Sequence, residues 1–141
     1  MATSVDLKTL AQLRLDESTV LLSQEFYSGA HYMAGYAIEF AIKSVICRRL
    51  NVEIFDDELL DIPRDVSRPF KIHNLRNLII LSGLQQDLNR LVKEDPDVAK
   101  AWTVVSEWNE QRRYKLECEK ETADRFLNSV KIVIKWIKTH W

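Results

Sequence analysis

The sequence predicts an all-α protein: an up-and-down bundle of about four to five helices in a single domain, with an irregular insertion after the second helix. Three observations carry this expectation. The 141 residues include only three Gly and three Pro, so helix breakers are scarce. Apolar residues recur at the spacing of one helix face through most of the chain. No run of period-two alternation is bounded by hairpin turns. With 46% hydrophobic residues, a chain of this size buries one core without disulfides or metal and leaves no room for a second domain.

The first helix is expected over residues 6–24, where Leu7, Leu10, Ala11, Leu21 and Leu22 recur at helical spacing and Ser4 is available as a cap. Gly29 then punctuates the chain before a longer helix over 30–50, apolar around most of its circumference and therefore central. Residues 51–72 change character. Asp56, Asp57, Glu58 and Asp61 form an acidic run, and Pro63 and Pro69 disfavour a continuous helix, leaving one short helical turn. A connection of this length is either a functional lid or a disordered excursion.

A third helix follows His73, with Leu75, Leu78 and Ile79 on one side and Gly83 as its stop. A short fourth covers 85–93. Asp95 and Pro96 form a cap and first-turn pair, opening a helix whose stripe of Val98, Ala101, Trp102 and Val105 runs to Trp108. Polar residues 109–120 interrupt the periodicity. The final helix, 122–139, places Ala123, Phe126, Leu127, Val130, Val133, Ile134 and Ile137 on one face, with Lys131, Lys135 and Lys138 as a solvated face opposite. Ile132 and Trp136 belong to neither side and are candidate interface residues.

The 20 Lys+Arg nearly balance 21 Asp+Glu, so no global field recruits nucleic acid and any RNA contact is local. Cys47 and Cys118 read as reduced thiols; with three His in the chain, no metal-ligand spacing emerges, and neither metal nor cofactor is expected. The N-terminus has no signal-peptide pattern. The most apolar stretch, 29–47, contains His31, Glu39 and Lys43, which fits a core helix better than a membrane span. The expectation is a cytoplasmic protein without membrane association.

On the second helix Tyr32, Tyr36, Glu39 and Lys43 are spaced by four, three and four, which sets all four within an arc of about 60°. A central helix has neighbours around most of its perimeter, so this polar stripe is expected to line a cleft. Glu39 and Lys43 stand in the favourable order for an i,i+4 ion pair. Two arrangements follow: a self-satisfied pair beside two packed tyrosines, or a Glu39 that orients a cation from another segment, with Arg113 as the candidate.

Residues 29–46, GAHYMAGYAIEFAIKSVI, resemble the signature helix of HEPN domains, a helical family of higher eukaryotes and prokaryotes described as nucleotide-binding. Three further pieces agree in order: RLDESTVLL before it, IHNLRNL at the third helix, and WNEQRRY ahead of the last, so the resemblance spans nearly the whole chain. It implies an all-α bundle that commonly forms a homodimer and occurs in toxin–antitoxin and other defence systems, often beside a nucleotidyltransferase partner protein. Many members are metal-independent endoribonucleases with an Arg followed four to six residues later by a His. In that motif the Arg stabilises charge on the phosphate while the His exchanges protons with the 2′-hydroxyl or the leaving oxygen.

This sequence departs from that motif. Arg112 and Arg113 stand at its place, but positions 116–119 read Leu, Glu, Cys, Glu. The one pair with the right spacing is Arg68 and His73, and roughly 0.6 such pairs are expected by chance. Pro69 argues for extended chain at Arg68, and His73 reads as a capping or packing residue still within reach of the cleft. Two functions result. One is a module that binds RNA, a nucleotide or a partner protein through Tyr32, Tyr36, Glu39, Lys43, Arg112, Arg113 and Tyr114. The other is a metal-independent endoribonuclease with Arg113, His73 and Glu39 as catalytic candidates.

Overall fold

In the computed structural model, which describes residues 2–141, the first helix α1 spans Ser4–Ser23. Its cap is Thr3 rather than Ser4. The Thr3 hydroxyl accepts from the Asp6 amide, and the Asp6 carboxylate accepts from the Thr3 amide in return. Ser4 instead donates its hydroxyl to Glu53 at 2.8 Å, tying the start of the chain to the connection after the second helix.

Helix α2, Tyr27–Leu50, starts earlier than the sequence predicts, and Gly29 lies inside it. The reversal is made by Glu25, in the left-handed region at φ 66°, in a link short enough to make α1 and α2 an antiparallel hairpin. Every residue from Ala41 to Cys47 is buried, as a central rod requires. Helix α1 packs along α2, while α7 (Lys120–Lys138) packs on α2 and on α6 (Pro96–Val105).

The 51–72 connection is neither a bare lid nor an excursion away from the core. Ile54 and Phe55 are buried in the core, and the buried Asp57 carboxylate pairs with Lys71 at 2.7 Å. It holds one helical turn, α3 (Arg64–Ser67), followed by a 3-10 turn over Arg68–Phe70. Arg68 adopts helical angles, φ −54° and ψ −43°, so the extended chain expected there does not form. Pro69 sits in the first turn of the 3-10 segment, where a missing amide proton removes no internal bond.

Helix α4 (Leu75–Leu81) is capped by Asn74 and closed by Gly83 at φ 77°, the left-handed stop the sequence predicts. Helix α5 (Gln85–Glu94) packs on α6, whose cap, Asp95, accepts from the amides of Asp97 and Val98. Helix α6 ends at Val105, not Trp108. A 3-10 turn over Glu110–Tyr114 then leads toward α7. The described residues thus form seven α-helices and no strand, more rods than expected because the stretch between α2 and α7 is cut into short pieces. None of the helices is long and apolar enough to cross a membrane. Cys47 and Cys118 are both free thiols.

Candidate functional site

The predicted stripe on α2 divides into two parts. At its inner end Glu39 is 1% exposed, and both carboxylate oxygens are engaged: Oε2 with Lys43 Nζ at 3.2 Å and Oε1 with His73 Nδ1 at 2.8 Å. A carboxylate this deep is tolerable because it is paired and hydrogen-bonded. Lys43 is covered by Phe55 from the connection, its Nζ 5.1 Å from the ring centroid. The inner half is therefore closed, and the cleft does not extend to Lys43.

The outer half is an aromatic ledge. Tyr36 stands edge-on to Tyr32 at 5.0 Å between ring centroids, to Trp108 at 5.1 Å and to the His73 imidazole at 6.4 Å. His73 is able to face this ledge because Asn74 caps α4 in its place, leaving the imidazole side chain 45% exposed and turned to Glu39. With Nδ1 held by the carboxylate, Nε2 is the nitrogen left for a ligand. This is the carboxylate–imidazole arrangement in which an acid fixes the orientation of a proton-exchanging His. His73 is thus not the cap of α4, and it reaches the cleft, the course the sequence left open for it.

Arg113 does not meet Glu39: of the two arrangements open in the sequence, the Glu39–Lys43 pair forms, and the side chain from another segment that reaches Glu39 is His73 rather than Arg113. The Arg113 guanidinium lies 4.8 Å over the Tyr114 ring, at the exposed edge of the ledge. Its charge acts electrostatically on the Tyr32 and Tyr36 hydroxyls. Burial, the Tyr32 hydroxyl and the Glu39 carboxylate raise the Tyr36 phenol above its ordinary range, and Arg113 opposes that rise. The phenolic neighbours in turn raise the Arg113 guanidinium.

Arg112 leaves this group altogether. In a 3-10 turn successive side chains diverge by about 120°, and the neighbour of Arg113 points toward His31, with its Nη2 3.5 Å from Cys118 Sγ. Trp108 stands between the two regions. Its indole lies against the α2 backbone at Gly35, where an added Cβ would come within 2.0 Å of the ring. Sequence reasoning assigned no role to His31, Gly35 or Trp108. The available signal was a helix-interior glycine beside tyrosines, a mark of close approach by a bulky side chain.

Ile132 is 39% exposed, whereas Trp136 is partly buried against the core and lies edge-on to His140 at 5.5 Å. No family model, curated protein or solved structure matches the chain. The fold and the ledge therefore define the class on their own: an all-helical protein whose central rod presents edge-to-face aromatics between an oriented imidazole and a guanidinium.

Proposed function

We propose that the chain is an HEPN-like helical module that binds single-stranded RNA or a nucleotide on the ledge of Tyr32, Tyr36, His73 and Arg113. The observation that carries the reading is the placement of Tyr36, edge-on to both Tyr32 and the His73 imidazole and within the electrostatic reach of Arg113. Aromatic rings beside a guanidinium suit a base that stacks while its phosphate meets the cation. With a formal net charge of −1, affinity has to come from this local constellation rather than from the field of the whole molecule. We place the module in a homodimer joined through Ile132 and Trp136, in a toxin–antitoxin or defence setting beside a nucleotidyltransferase.

A second reading is favoured by one specific contact, the Glu39–His73 pair. In it the protein is a metal-independent endoribonuclease in which His73 supplies the proton exchange that the absent motif His would otherwise perform, and Arg113 meets the phosphate. Incubating the protein with mixed RNA in the presence of chelator separates the two. Binding without cleavage, lost in Arg113→Ala, supports the module. Cleavage lost in both Arg113→Ala and His73→Ala supports the enzyme. RNA and nucleotide binding unaffected by either substitution overturns both.

A further inference from the structure

A pocket of about 480 Å³ opens on the other side of Trp108 from the ledge, between α2, α6, the 110–114 turn and α7. Its charged lining residues are Arg112, Lys115 and Arg125 against Glu107 alone, so its field is positive. Three buried side-chain nitrogens of its lining, His31 Nδ1, Trp108 Nε1 and Arg112 Nε, have no hydrogen-bond partner within the protein. His31 is 7% exposed and Trp108 4%, so these are built positions rather than surface accidents. A buried donor without a partner is costly, and clustered orphan donors next to surplus cations call for an acceptor-rich anion.

We infer that this pocket is a binding site for a phosphomonoester dianion, held by Arg112 from below and by Lys115 and Arg125 at its mouth. The Arg112 guanidinium supplies the charge that meets the oxygens, with the Trp108 indole N–H buried behind it against α2 at Gly35. His31 completes the floor as a neutral imidazole, fixed by stacking on Phe126 at 3.8 Å with planes 12° apart. Burial, reinforced by the Arg112 charge, lowers the imidazole to about 3, so the ring offers a lone pair or a single N–H and no charge of its own. The dianion carries no proton near neutral pH, so the tautomer that suits it is the one with the N–H on Nδ1. The site is independent of the ledge: it shares none of the ledge's four ligand-binding side chains, and it stands or falls separately from RNA binding there.

The test follows the indole N–H resonance of Trp108 in the full chain while inorganic phosphate, a nucleoside 5′-monophosphate or a sugar phosphate is added at constant ionic strength. The expected result is a saturable shift with phosphate that chloride does not reproduce, weakened at least about tenfold by Arg125→Gln and lost in Arg112→Gln. Tighter binding of either ester than of inorganic phosphate identifies the source of the group. The Arg125 substitution, at an exposed rim residue, keeps the test decisive if Arg112→Gln perturbs folding. No saturable shift, or full affinity in Arg125→Gln, overturns the inference.

Discussion

His73 Nδ1 lies 2.8 Å from Glu39 Oε1, joining the loop ahead of α4 to the centre of α2 across 34 residues of sequence. This contact makes Glu39 a shared acceptor for an imidazole and an ammonium. Its loss has unequal consequences for the two partners. Glu39→Gln leaves Lys43 a buried cation without its counter-charge and is expected to destabilise the fold by about 3 kcal/mol. His73→Ala removes a half-exposed ring while Lys43 remains paired, and is expected to lower stability by less than about 1 kcal/mol. Urea unfolding of the two variants checks the ordering.

The three glycines of the chain predict three different alanine effects. At Gly35 an added Cβ meets the Trp108 indole at 2.0 Å, and both are locked in the core, so Gly35→Ala is expected to destabilise by about 3 kcal/mol. At Gly29, within α2, the nearest atom is Leu21 Cδ1 at 3.5 Å, an ordinary contact. Gly29→Ala therefore gains helix propensity and is expected to stabilise by about 0.5–1 kcal/mol. At Gly83, with φ 77° and open space around it, the penalty of about 1 kcal/mol is purely conformational. Thermal melts of the three single variants give the signs directly.

The long amphipathic elements were legible in the sequence because burial on one face leaves a periodic trace. Helix α7 and the Asp95–Pro96 opening of α6 appear where spacing and cap chemistry place them. The start of α2 was misplaced because a glycine usually breaks a helix, yet here the turn falls on Glu25. The 51–72 connection was harder, since its Ile54 and Phe55 pack through tertiary contacts with no periodicity to announce them. For the site, the α2 stripe was readable from helix geometry, but its partner was not. Arg113 and His73 are both far from Glu39 in sequence, and only the three-dimensional path shows that His73 reaches it. The split between Arg112 and Arg113 depends on a 3-10 turn in a segment without apolar periodicity.

His31 sets an acid-side dependence of stability. Its folded-state pKa is lowered to about 3 from 6.5, chiefly by burial, so below pH 6.5 the unfolded chain takes up a proton that the folded chain refuses. The resulting stability is fully present above pH 6.5 and is lost as pH falls toward 3, with a limiting slope of about 1.4 kcal/mol per pH unit. In His31→Phe, which keeps a ring against Phe126, this component disappears. The difference in unfolding free energy between wild type and variant is expected to shift against the wild type as pH is lowered from 7 to 4, measured by urea titration at each pH.

Ile132 and Trp136 stand one helical turn apart on α7, and the homodimer proposed above places them at its interface. Ile132→Ala with Trp136→Ala is expected to convert a dimer to a monomer in sedimentation velocity while leaving the helical circular dichroism in place. Unchanged sedimentation of the double variant rules this interface out.

In the function proposed above, Arg113 and the tyrosines beside it form one binding surface for RNA. Fluorescence anisotropy of a labelled single-stranded RNA oligonucleotide, in chelator and at fixed salt, tests it directly when Arg113→Ala is compared with Lys131→Ala, an equal loss of charge at an exposed position on α7. Affinity is expected to weaken about tenfold or more in Arg113→Ala and to stay nearly unchanged in Lys131→Ala. Equal affinities for the two variants, with melting temperatures matching the wild type, contradict it.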